Sequence, residues 1–302
     1  MSIANPPQNI AMATTTATTT THYLKLSNAT IFYRTAGSPT KSTILLLHGF
    51  PTSSHMFRNL IPILSQQYHV VAPDFPSFGF TTPAANYEYT FANIAVTLGE
   101  FLDALSIKSF GMYIFDYGAP IGLRLALSRP HAVRALIVQN GNAYNEGLGE
   151  ALKEPFSQAW ASGSKEDRDM LSANFLSYEA TKAQYDLGTA HPERIAPESY
   201  TLDYALLNTP ERREIMLDLF MDYKTNVELY PKFQEWLRSS QVPTLVAWGK
   251  NDIFFIPPGG EAYKKDVPEA EIHMLDAGHF AGETETEEIG GLILSFLKKN
   301  AI

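Results

Sequence analysis

Short, continuous apolar runs recur along the chain. Between most of them lie stretches in which apolar residues return every three or four positions. Residues 42–47, 69–72, 111–115, 135–138, 244–247 and 271–275 are runs of the first kind, and 91–105 and 118–128 are stretches of the second. A strand buried on both faces reads as an unbroken apolar run, whereas an amphipathic helix repeats its apolar face every 3.6 residues. The alternation therefore predicts an α/β fold: a mostly parallel sheet with helices on both faces. Ahead of it, residues 23–26 and 30–33 are rich in β-formers and are joined by Ser27-Asn28-Ala29, which reads as a hairpin.

The alternation breaks once. From 141 to 240 no clear sheet strand is visible, and the segment is rich in helix formers and aromatics, among them Phe156, Trp160, Phe175, Tyr178, Tyr204, Phe220 and Trp236. Strand-like sequence returns at Thr244. A helical cap inserted between two strands explains both flanks better than an independent helical domain. Such a cap sits over the carboxyl ends of the strands, where open α/β sheets bind ligands. The division expected is a core of 23–140 and 241–302, a cap of 141–240 and a tail of 1–22. The tail holds Pro6-Pro7 and a threonine-rich tract with little to bury, so disorder is expected there. No Lys or Arg precedes Lys25, which argues against a secretory or transit peptide and leaves a cytoplasmic location by default.

Composition narrows the function classes. Of 302 residues, 45% are hydrophobic and 18% charged, enough apolar material for a sizeable core. Lys and Arg number 23 against 32 Asp and Glu, a net charge of −9, which disfavours nucleic acid and acidic membrane surfaces as partners. There is no cysteine, so a disulfide framework, a thiolate zinc site and a cysteine nucleophile are excluded. The aliphatic runs are too short to span a bilayer. A small apolar molecule and water are the partners that remain, with no cofactor or metal called for.

The candidate chemistry lies just beyond the ends of the predicted strands. Met112-Tyr113-Ile114 leads through Phe115-Asp116-Tyr117 into Gly118-Ala119-Pro120, a strand passing into a helix with almost no loop. Such a turn strains its central residue and needs small neighbours. Asp116 at its tip can attack a carbon and form an ester to the enzyme. His48-Gly49-Phe50-Pro51 follows the run at 42–47, and its glycine lets the backbone approach closely. The N–H groups of Phe50 and Tyr117 then form a two-donor oxyanion hole. Asp252 follows the run at 244–247, and His279, preceded by Gly278, follows the run at 271–275. His279 is the candidate base for water, with Asp252 orienting its imidazole. Asp276 is the rival acid, but it lies on the same loop as His279 and is hard to orient together with a nucleophile.

The order nucleophile, helical insertion, acid, histidine resembles the α/β-hydrolase superfamily over about residues 23–302. The aspartate nucleophile is similar to that of the epoxide hydrolase and haloalkane dehalogenase branch. His48-Gly49-Phe50-Pro51 resembles that branch's His-Gly-X-Pro signature. Asp74-Phe75-Pro76-Ser77-Phe78-Gly79 resembles its Asp-X-X-Gly-X-Gly segment, with Ser77 in place of the first glycine. The resemblance implies a covalent alkyl-enzyme intermediate on Asp116.

Within the branch, residues 220–226 resemble the epoxide hydrolase segment that carries a proton-donating tyrosine, with Tyr223 at its place. A second such tyrosine falls by resemblance near Trp160, whose indole can donate a hydrogen bond. Haloalkane dehalogenases have a tryptophan where this chain has Tyr117, and many have Asn where it has Phe50. Fluoroacetate-type dehalogenases are a better likeness, with Trp160 and Tyr223 as halide donors. Their carboxylate-holding arginines have only Arg124 as a distant counterpart. Epoxide hydrolysis therefore ranks first and dehalogenation second, ahead of a lactonase-like hydrolase or a non-catalytic binder. His48, Trp160, Tyr144, Tyr185, Phe254 and Phe280 are assigned to the substrate pocket.

Overall fold

The computed structural model describes residues 18–302. Residues 1–17 of the expected tail, with Thr14 to Thr16, lie outside the described residues, whereas its last three residues, Thr20 to His22, are not disordered but belong to a strand. Among the described residues nine strands form one sheet: β1 (Thr20–Lys25), β2 (Ala29–Ala36), β3 (Thr43–Leu47), β4 (His69–Pro73), β5 (Thr82–Pro83), β6 (Phe110–Phe115), β7 (Val133–Gln139), β8 (Thr244–Gly249) and β9 (Glu271–Leu275). Their order is β1-β2-β4-β3-β6-β7-β8-β9, with the two-residue β5 on β2. β1 and β2 form the expected hairpin, Tyr23 opposite Phe32, and β1 begins three residues before the expected Tyr23. β2 joins β4 antiparallel, and every pair from β4 through β9 is parallel. The short β5 carries no apolar run that would announce it.

Side chains alternate across the sheet, and this divides the core in two. Leu45, Leu47, Met112 and Ile114 face one layer, while Ile44, Leu46, Tyr113 and Phe115 face the other. The first layer is covered by α2 (Phe91–Ala104) and α3 (Gly118–Ser128). The second is covered by α1 (Leu60–Leu64) and the C-terminal helix Thr286–Lys299. All six residues of β6 are buried, as a central strand with both faces covered requires. No helix among the described residues is long and apolar enough to cross a membrane.

Between β7 and β8 the chain forms α4 (Glu150–Ser162), α5 (Lys165–Phe175), α6 (Tyr178–Asp186), α7 (Pro197–Leu207), α8 (Pro210–Asp222) and α9 (Lys224–Ser240). Local chemistry sets their ends. The side chains of Ser164, Ser177 and Thr209 accept from the N–H groups of Asp167, Ala180 and Arg212, capping α5, α6 and α8. Pro197 and Pro210 open α7 and α8, where a missing N–H costs nothing.

Candidate active site

Asp116 follows β6 with φ at 47°, a left-handed conformation costly for a residue with a Cβ. The turn that holds it leaves no room. A Cβ on Gly118 would come 2.4 Å from the Leu47 carbonyl oxygen, and one on Gly49 would come 2.3 Å from the Cβ of Asp116. With glycine at 49, the loop after β3 closes on the nucleophile position. The Phe50 N–H donates to Asp116 Oδ1 at 2.5 Å, and the Tyr117 N–H also bonds the carboxylate. Both donors that the sequence assigns to an oxyanion hole converge on Asp116.

His279 and Asp252 reach the same point from the ends of β9 and β8. His279 Nδ1 lies 2.7 Å from Asp252 Oδ2, and its Nε2 lies 3.9 Å from Asp116 Oδ2. Asp276, the rival acid, points to solvent and pairs with Lys250 and Asn251. Burial pushes the Asp116 carboxyl up to about 6, against the opposing pull of His279 and the two N–H groups. Burial alone would depress the His279 imidazole, but Asp252 and Asp116 together outweigh it and hold it above its ordinary value.

Sequence reasoning missed Asn140. It follows β7 with φ at 43° and donates from Nδ2 to Asp252 Oδ2 at 2.8 Å. Its Oδ1 accepts from the Gly249 N–H at 2.9 Å, and the Phe254 N–H donates to Asp252 Oδ1 at 2.8 Å. The Asp252 carboxylate is thus fixed from three sides. The polar pair Gln139-Asn140 after the apolar run 135–138 was the available signal.

Above this trio lies a cavity of about 270 Å³ between strand ends and cap. Phe50, Phe156, Phe175, Phe220, Phe254 and Phe255 give it apolar walls, and Asp116, His279, Tyr117 and Tyr223 line it as well. Tyr223 sits where α8 passes into α9, its ring parallel to that of Trp160 at 6.4 Å. The Tyr223 hydroxyl lies beside that of Tyr230, two helical turns on, which in turn accepts from Asn142 Nδ2 at 3.1 Å. Burial, reinforced by Tyr230 and Asp116, holds the Tyr223 phenol well above its ordinary pKa, so it stays protonated.

A family model described as alpha/beta hydrolase fold matches residues 42–286. This chain is an α/β-hydrolase. It is 46% identical over 274 residues to an uncharacterized hydrolase of Saccharomyces cerevisiae, covering 89% of this chain and 94% of that one. Among solved structures it resembles the haloalkane dehalogenase DbeA of Bradyrhizobium elkani, with a TM-score of 0.79, 22% identity and coverage of 94% and 99%. It also resembles the epoxide hydrolase CorEH, with a TM-score of 0.75, 18% identity and coverage of 93% and 99%. At these identities the structural likeness is one of fold.

Several residues assigned to the pocket of this hydrolase lie elsewhere. His48 is fully buried outside the cavity: Nδ1 meets the Gly49 carbonyl at 2.9 Å and Nε2 accepts from the Phe75 N–H at 3.0 Å. Burial drops its pKa to about 3, so it is a neutral tie between two loops. Tyr144 turns to Asp266, to which its hydroxyl donates at 2.6 Å. Tyr185 donates to Asp203 and stacks on Phe280 at 3.8 Å, which takes both rings out of the cavity wall. Phe254 and Trp160 do line it. The indole N–H of Trp160, however, donates to the Phe220 carbonyl at 3.0 Å instead of pointing inward. Arg124 is committed to Thr225 and Asn226 of the cap. Ser77 has φ at 71°, which explains why the family pattern has glycine there.

Proposed function

We propose that this hydrolase opens small organic epoxides to diols through a covalent ester on Asp116. One observation carries the choice. The cavity offers a protonated phenol, Tyr223, near Asp116, while the Trp160 N–H that a halide would need is spent on the Phe220 carbonyl.

In the first step an Asp116 oxygen attacks a ring carbon, the ring C–O bond breaks, and Tyr223 gives its proton to the departing oxygen. In the second, His279 Nε2 takes a proton from water and Asp252 stabilises the imidazolium. The hydroxide attacks the ester carbonyl carbon, and the Phe50 and Tyr117 N–H groups hold the oxyanion. One such donor is worth about 3 kcal/mol of barrier. Collapse releases the second diol oxygen, which takes the proton from His279. The Asp116 carboxylic acid left behind reprotonates Tyr223, so epoxide and water become diol with nothing left over.

Carbon–halogen hydrolysis is the second reading, favoured by one feature: Tyr117 lines the cavity, and its hydroxyl is buried without a hydrogen-bond partner. A haloacid is the less suitable halide, because Arg124 is already engaged. The test is turnover of matched terminal epoxides and 1-bromoalkanes, with diol and halide measured separately. Diol formation at the higher kcat/KM is expected; halide release without diol would overturn the epoxide reading.

A further inference from the structure

Besides the groups already given a role, the cavity is lined by one further buried polar side chain, Gln184. Asn145, Lys153 and Ser157 also line it but are exposed, as residues at a rim are. Gln184 is 5% exposed, and its Nε2 is buried without a hydrogen-bond partner. A buried amide left unpaired is unfavourable unless something else satisfies it. It is also held in place. The next residue, Tyr185, is anchored through its hydroxyl to Asp203 at 2.5 Å and through its ring to Phe280, the neighbour of His279. Adjacent helical positions point about 100° apart. With Tyr185 clamped to the core, α6 presents Gln184 to the cavity from a fixed position.

We propose that Gln184 recognises an oxygen acceptor on the substrate remote from the reacting carbon. The substrate is then an epoxide bearing an ether, carbonyl or hydroxyl oxygen, and not a plain hydrocarbon epoxide. This rests on the epoxide reading above. The amide turns end for end about its Cγ–Cδ bond, so that Nε2 leaves its closed position and donates to that oxygen, while the aromatic walls take the chain between. A site built to bond such a group discriminates against the analogue lacking it, because the amide then stays buried and unpaired.

The experiment compares alkyl epoxides with analogues in which one chain methylene is replaced by an ether oxygen at successive positions. For one oxygen position the wild type should prefer the ether by about tenfold in kcat/KM. Gln184→Met, which keeps the volume, should bring that ratio to near one while the alkyl rate changes less than about threefold. An unchanged ratio overturns the inference. The matching ether and alkyl diols are titrated calorimetrically against both proteins, so the result does not depend on turnover. If no epoxide reacts, the epoxide reading fails. The assignment of Gln184 then stands only if the ether diol binds the wild type more tightly than the alkyl diol and Gln184→Met abolishes the difference.

Discussion

The strand ends and the cap face one cavity but hold their polar groups differently. From the strand ends, Asp116 receives two backbone N–H groups, and Asp252 receives His279, Asn140 and the Phe254 N–H. These contacts come largely from main chain and from residues whose φ is fixed by the turn they occupy. From the cap come Trp160, Tyr223 and Gln184, held by ring contacts and single hydrogen bonds, one of them with its amide nitrogen unpaired. A reaction that develops charge needs donors fixed before substrate arrives, and backbone at sharp turns provides that. Substrate choice needs only a shaped wall, which side-chain exchange on helices can alter without touching the donors. On the mechanism proposed above, the core supplies the ester chemistry and the cap selects the carbon offered to it.

Two changes sharpen this division. Tyr223→Phe removes the proton donor but leaves the core intact, so kcat for epoxides should fall by about 10²–10⁴ while the fold is unchanged by circular dichroism. An unchanged rate would remove Tyr223 from the role. The smaller effect is in pH. Asp116 must be ionised to attack and His279 neutral to activate water, and both are held above their ordinary pKa values. Protonation on the acid side therefore switches both steps off. Below about pH 6, kcat/KM should lose about tenfold per unit, a limb that belongs to the coupled set and not to one residue. Tyr223→Phe should lower the plateau without moving this limb; a shifted limb would mean that cap and core are not separable.

How far the sequence was legible follows the same division. Parallel strands read as unbroken apolar runs, so the residues just past them, Asp116, Asp252 and His279, stood out at once. Phe50 was legible because Gly49 announces a close approach. The cap was read less well because a helix shows its apolar face but not what that face meets. Tyr144, Tyr185 and Phe280 carry the same aromatic signal as Tyr223, yet long-range packing turns the first toward Asp266 and pairs the other two with each other. Trp160 reaches the cavity, but its N–H is redirected by a carbonyl 60 residues away in sequence. Gln184 gave no signal at all, since a glutamine on an amphipathic helix ordinarily faces water.

In the proposed mechanism Asp116 carries the alkyl group between the two steps. His279→Gln removes the base for the second step and leaves the nucleophile in place. Incubated with a reactive epoxide and analysed by intact mass and peptide sequencing, this variant should gain the mass of one substrate, located on Asp116. An unmodified protein that still forms diol, or an adduct on any other residue, would contradict the account.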